Sequence, residues 1–103
     1  MVAHNKLVRD KIPEIIRNDG KTCSVRILDQ LEMKNALGEK LREEVDEYLI
    51  ANDPEELADI LEVVYATAEC LGVSKAKLED MRTAKLSQNG GFCHRVYLLD
   101  VSD

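Results

Sequence analysis

Leu37–Leu71, LGEKLREEVDEYLIANDPEELADILEVVYATAECL, is the stretch on which the fold turns. Leu37, Leu41, Val45, Tyr48 and Leu49 recur at three- and four-residue intervals, which predicts a helix from about Asp29 to Ala51. Asn52-Asp53-Pro54-Glu55-Glu56 reads as a second helix start, with Asp53 as N-cap, Pro54 in the first helical position and Glu56 completing a capping box. This second helix is expected to run to Leu71 and stop at Gly72. A connection this short folds two helices back on each other, so the centre of the chain reads as an antiparallel helical hairpin.

Outward from the hairpin the signals weaken. Ser74 caps a third amphipathic helix (Ala76, Leu78, Met81, Ala84, Leu86) that ends before Asn89-Gly90-Gly91. On the other side, an extended start leads into a short helix from about Pro13, stopped by Asn18-Asp19-Gly20. Cys23, Val25 and Ile27 alternate with polar neighbours between Thr22 and Leu28, the period of a short strand, and the tail Phe92–Val101 is strand-like enough to pair with it. The expected fold is mostly all-α: a hairpin core, a third helix and a small β element from the two terminal segments. A hairpin apolar on two sides cannot bury itself within 103 residues, so oligomerisation is expected to complete the core, as a homodimer or dimer of dimers with sites near subunit interfaces.

Length and composition bound the function. A chain of 103 residues, 45% apolar and 33% charged, suits one domain spanning residues 1–103. No apolar run is long enough to cross a bilayer. The net charge of −6 argues against a nucleic-acid polymer as partner, which needs clustered cations. Cys23, Cys70 and Cys93 form no CxxC pair, and the charged opening lacks the apolar run of a secretory signal, so a cytoplasmic location is expected. Cys70 reads as core, and His4 and His94 stand alone.

The hairpin's charge is one-sided. Between Glu43 and Ser74 lie ten of the twenty acids and no Lys or Arg, while the other 71 residues hold all fourteen bases. Like charges at i,i+4 destabilise a helix by roughly 0.2–0.5 kcal/mol per pair, so a positive partner is missing from the stretch. Glu44 falls on the apolar side with Leu37, Leu41 and Tyr48 and should point inward. Glu47 lies one turn on, and the antiparallel return brings Glu56, Asp59 and Glu62 within range, leaving open whether Glu56 or Glu62 joins the group. ExxE on one arm and ExxD on the other offer hard oxygen ligands suited to Mg²⁺ or Mn²⁺. Against this stands a solvated face, since Glu55, Glu62 and Glu69 share one stripe and the capping box accounts for Glu56. Asp59, a poor helix former in mid-helix beside Val63, Ala66 and Cys70, favours the inward reading.

These residues resemble the all-α nucleotide pyrophosphohydrolase superfamily, the MazG-like and phosphoribosyl-ATP pyrophosphohydrolase-like proteins. The acidic pairs are Glu43-Glu44-Val45-Asp46-Glu47 and Glu56-Leu57-Ala58-Asp59. The opening NKLVRDKIPEII, the run EELADILEVVYA and Lys85 with Gly90-Gly91-Phe92 extend the likeness to a short MazG-like subgroup over most of the chain. Two departures are the short interval between Glu47 and Glu56 and Asn89 where that subgroup often has Arg. The resemblance implies Mg²⁺-dependent hydrolysis of a nucleoside triphosphate to a monophosphate and pyrophosphate, a nucleotide-pool house-cleaning activity. It implies Glu44, Glu47, Glu56 and Asp59 as metal ligands and Glu43 with Glu44 as catalytic residues. Lys6, Arg9, Lys11 and Lys85 are the candidate phosphate-binding cations. The alternative is a helical oligomerisation or binding module that keeps the scaffold without the chemistry.

Overall fold

The computed structural model describes residues 2–103, which form four helices: α1 (Ile12–Asn18), α2 (Gln30–Ala51), α3 (Pro54–Cys70) and α4 (Lys75–Asn89). The boundaries follow local chemistry. At the start of α2 the Asp29 carboxylate accepts from the Glu32 N–H at 2.8 Å, and Glu32 accepts from the Asp29 N–H at 3.2 Å. This reciprocal box satisfies two of the orphan donors of the first turn. At the other end Asn52 takes the left-handed conformation at φ 53° and its N–H reaches the Tyr48 carbonyl at 2.8 Å. Asp53 then caps α3 by accepting from the Glu55 N–H at 3.0 Å.

The capping box expected at Asp53 therefore does not close, because the Asp53 carboxylate binds the N–H of the second helical residue, Glu55, instead of that of the third, Glu56. The Glu56 side chain is left free to serve another purpose. With only Asn52 and Asp53 between them, α2 and α3 pack side by side as the expected antiparallel pair.

At the far end of α3, Gly72 has φ +78°, its N–H bonds the Glu69 carbonyl at 2.9 Å, and the Val73 N–H bonds the Ala68 carbonyl at 2.8 Å. These two bonds form a Schellman motif, in which glycine takes the left-handed position without penalty. Ser74 then starts α4, its hydroxyl accepting from the Lys77 N–H at 3.1 Å. Helix α4 packs on α3 alone, and α1 packs on no other helix.

Neither terminal segment forms a strand among the described residues, and no ladder joins the stretch around Val25 to the tail within one chain. Alternating apolar residues mark a face that needs cover, but a strand also needs a neighbour to take its backbone hydrogen bonds. The tail begins with a turn closed by the Arg95 N–H on the Phe92 carbonyl at 3.2 Å, and Phe92, Val96, Tyr97, Leu98, Leu99 and Val101 are all exposed. Cys70 is also exposed at the end of α3, contrary to its reading as core.

The core of a single chain is small. Leu37, Val63 and Ala68 are its buried apolar residues among those described, with Glu44 the buried charge. The molecule measures 62 × 31 × 24 Å with a radius of gyration of 18.2 Å, against about 13 Å for a compact chain of this length. Its accessible surface is 9501 Å², whereas a compact monomer of 11.6 kDa exposes roughly 5,800 Å².

Candidate metal centre

The hairpin turn sets the height of the acids on its two arms. Glu44 and Glu47 sit one turn apart on α2, and Glu56 and Asp59 one turn apart on α3, all within eight residues of the Asn52-Asp53 turn. Glu44, Glu56 and Asp59 each place a carboxylate oxygen within 4.8 Å of the other two, and Glu43, Glu44 and Glu47 do the same on α2 alone. Glu44 belongs to both groups. Oxygens bound to one Mg²⁺ at 2.0–2.1 Å lie about 3 Å apart when adjacent and about 4 Å when opposite, so the spacing is within reach of a shared cation. The donors are carboxylates throughout, the chemistry that suits Mg²⁺ or Mn²⁺ over softer metals.

Cations within the chain occupy part of the cluster. Lys40 Nζ lies 3.2 Å from Glu44 and 3.4 Å from Glu43, Lys6 Nζ lies 3.4 Å from Glu43, and Arg9 donates to Asp59 at 2.7 Å. The positive partner missing from the acid-rich stretch thus comes from just before it and from the opening of the chain. Two acceptors remain. Glu44 Oε2 and Glu56 Oε2 are buried and have no hydrogen-bond donor. A buried carboxylate oxygen without a donor is costly, and the cost falls if a proton or a cation reaches it.

The ionisation of the acids divides the same way. Burial pushes the Glu56 carboxyl above the usual range, and the charges of Asp59, Glu44 and Asp53 push it further. The adjacent Glu44 carboxylate raises Glu47, with burial, Glu56 and Glu43 adding to the effect. Burial would raise Glu43 as well, but Lys40 and Lys6 outweigh it and hold this carboxyl low. Burial would lower Lys40, yet Glu44 and Glu43 hold it above the ordinary lysine range. One side of the cluster is therefore a settled ion-pair network, and the other is an excess of negative charge.

The candidate residues separate accordingly. Glu44, Glu56 and Asp59 come together across the hairpin, Glu47 lies on its exposed edge beside Glu44, and Glu43 faces Lys6 and Lys40. Glu62 is exposed with Glu55 and Glu69 on the solvated stripe, so Glu56 is the acid that joins the group. Lys6 and Arg9 reach the acids, whereas Lys11 and Lys85 are exposed and make no ion pair among the described residues. Sequence reasoning missed Lys40, although its spacing of three and four residues before Glu43 and Glu44 puts it on their face of α2. It also missed Lys75, whose ammonium lies 4.9 Å from the centre of the Tyr65 ring.

No family model and no solved structure matches the chain. An uncharacterized protein of Mycolicibacterium smegmatis is 49% identical over 47 residues, which are 46% of this chain and 48% of that protein. The chain thus spans about half the length of the curated relative it matches.

Proposed function

We propose that the chain is a single MazG-like domain that hydrolyses a nucleoside triphosphate, or a related pyrophosphate, to a monophosphate and pyrophosphate with Mg²⁺, Mn²⁺ serving in its place. The observation that carries this reading is the pair of buried, donorless oxygens on Glu44 and Glu56, two acids whose carboxylates come within 4.8 Å of each other and of Asp59 across the hairpin. Glu44, Glu56 and Asp59, with Glu47 at the edge, would hold the ion. When bound, it supplies charge neutralisation at phosphate oxygens and lowers the pKa of a coordinated water. Glu43, whose carboxyl Lys40 and Lys6 hold low in the metal-free chain, would accept a proton from water. Arg9, Lys6, Lys11 and Lys85 supply the cations that a triphosphate needs.

The working form we infer is a cytoplasmic homodimer or dimer of dimers. At about 100° per residue, Val45 and Leu49 lie round α2 from Glu44 by the same angle that Leu57 and Leu61 lie round α3 from Glu56. In an antiparallel pair those offsets fall on one side, and the turn sets Val45 level with Leu61 and Leu49 level with Leu57. All four are exposed in one chain. A second hairpin on this face would cover them, and the small β element would form between copies, where the unpaired Val25 segment and tail find backbone partners.

The second reading, a binding module without hydrolysis, is favoured by one feature: Lys6, Arg9 and Lys40 already pair with three of the acids. A nucleotide panel with Mg²⁺, assayed for pyrophosphate, separates the two. Hydrolysis predicts release from at least one nucleotide, with a loss of about 100-fold or more in Glu56→Gln and Asp59→Asn while both stay helical. Absence of release from every nucleotide, together with no Mg²⁺-linked rise in Tm, selects the module.

A further inference from the structure

Arg9 and Lys6 bind acids on different helices, Asp59 on α3 at 2.7 Å and Glu43 on α2 at 3.4 Å, so the segment before α1 lies against both arms of the acidic cluster. Between those two acids stands Glu44, whose side chain is only 9% exposed and whose Oε2 has no donor. Asp59 is at once the acceptor of Arg9 and a member of the triad with Glu44 and Glu56. A guanidinium and a divalent ion therefore compete for one carboxylate. The competition is uneven, because the Arg9 and Asp59 side chains are 54% and 40% exposed, and water screens and weakens an ion pair that open.

From this geometry we infer that Arg9 and Lys6 are exchangeable counter-cations: they neutralise the cluster while it is metal-free, and entry of a divalent ion releases them to an anionic ligand, the phosphate chain of a nucleotide. The inference rests on the metal-binding reading of the same cluster. Charge balance drives the exchange, since one divalent ion replaces two monovalent groups on the acids. The Arg9 backbone stays in place, its carbonyl accepting from the Ile12 N–H at 3.0 Å at the entry to α1, so the guanidinium swings on its own stem. Once freed, its planar fork matches phosphate oxygens. The same residue thus opposes metal binding and favours binding of the metal-bound anion.

The test measures Mn²⁺ affinity by titration calorimetry in the full chain, for wild type, Arg9→Gln, the double variant Lys6→Gln/Arg9→Gln and Arg42→Gln. Arg42 is an exposed cation beside Glu43 that makes no ion pair among the described residues, so it reports the general effect of removing a charge. Without nucleotide, Arg9→Gln should bind Mn²⁺ about two- to fivefold tighter than wild type, the double variant tighter again, and Arg42→Gln within about twofold of wild type. With Mn²⁺ saturating, a non-hydrolysable triphosphate should bind Arg9→Gln at least about fivefold more weakly. The opposite signs of the two changes are the signature. Equal Mn²⁺ affinity in Arg9→Gln and Arg42→Gln, or unchanged triphosphate affinity, overturns the exchange while leaving the metal site intact. If no variant binds Mn²⁺, the metal reading fails and takes the exchange with it; binding by Arg9→Gln but not wild type supports the exchange.

Discussion

Lys40 Nζ sits 3.2 Å from Glu44 Oε1 in a pair whose side chains are 16% and 9% exposed, which leaves the second oxygen of the same carboxylate bare. The arrangement splits one buried acid between two duties. Oε1 is held by its own helix, one turn back, and Oε2 is left without a donor in a carboxylate that clusters with Glu56 and Asp59 of α3. A charge this deeply placed is tolerable only while its partner stays.

Lys40→Met should therefore destabilise the metal-free protein by about 1–3 kcal/mol, since it leaves Glu43 and Glu44 facing each other with less compensation. Thermal unfolding with and without Mg²⁺ checks this. The Tm gain on adding Mg²⁺ should be larger in the variant than in wild type, because the ion then neutralises more uncompensated charge.

The pH dependence has two opposed parts. Glu47 and Glu56 have carboxyls raised above their ordinary value of 4.5, so near and above it the folded state binds more protons than the unfolded one. Their effect is a loss of stability as pH rises through the folded values. Glu32, held at about 2 by the side-chain hydrogen bond from Arg26 and the Asp29 N–H, works the other way. Its contribution is full above 4.5 and fades as pH falls towards about 2. The metal-free protein should thus be most stable on the acid side of neutrality, above the ordinary carboxylate range. A Tm series across pH 4–8, repeated with Mg²⁺, should show the neutral-pH deficit shrink when the ion is present.

Gly72→Ala isolates a backbone effect. A Cβ at this position meets nothing within 4 Å, yet φ is +78°. The substitution should cost about 1–2 kcal/mol, read as a Tm lower by roughly 4–8 °C per kcal/mol. Gly38→Ala is the control, because Gly38 lies inside α2 with open space around it, and the same change there should stabilise by up to about 1 kcal/mol unless a second copy packs against it.

The apolar face is tested by Leu49→Glu and Leu61→Glu. Both residues are exposed in one chain, 64% and 47%, where a polar substitution changes stability by less than about 0.5 kcal/mol. If a second hairpin covers this face, either variant should lower the molar mass measured by light scattering, or unfold at a Tm that depends on protein concentration. Unchanged mass and Tm in both variants would place the subunit contact elsewhere.

Much of the architecture is legible in the residue order. The intervals of Leu37, Leu41, Val45 and Tyr48 mark α2, the Asn52-Asp53-Pro54 break marks the turn, Gly72 ends α3, and Ser74 starts α4. Each is a local rule in which a cap, a glycine or a helical period acts within a few residues. The inward side of Glu44 was legible for the same reason, since its angle round the helix follows from its apolar neighbours.

Tertiary structure decided what depends on partners distant along the chain. Nothing in the spacing of Lys6 and Arg9 says that they reach Glu43 and Asp59, 37 and 50 residues away. The choice of Glu56 over Glu62 required the relative rotation of two helices, and the Asp53 cap left Glu56 free only because it took the Glu55 N–H. The described residues of one chain hold no strand, for a related reason. A helix satisfies its backbone internally, so sequence alone can specify it, whereas a strand exists only when a second segment is brought alongside.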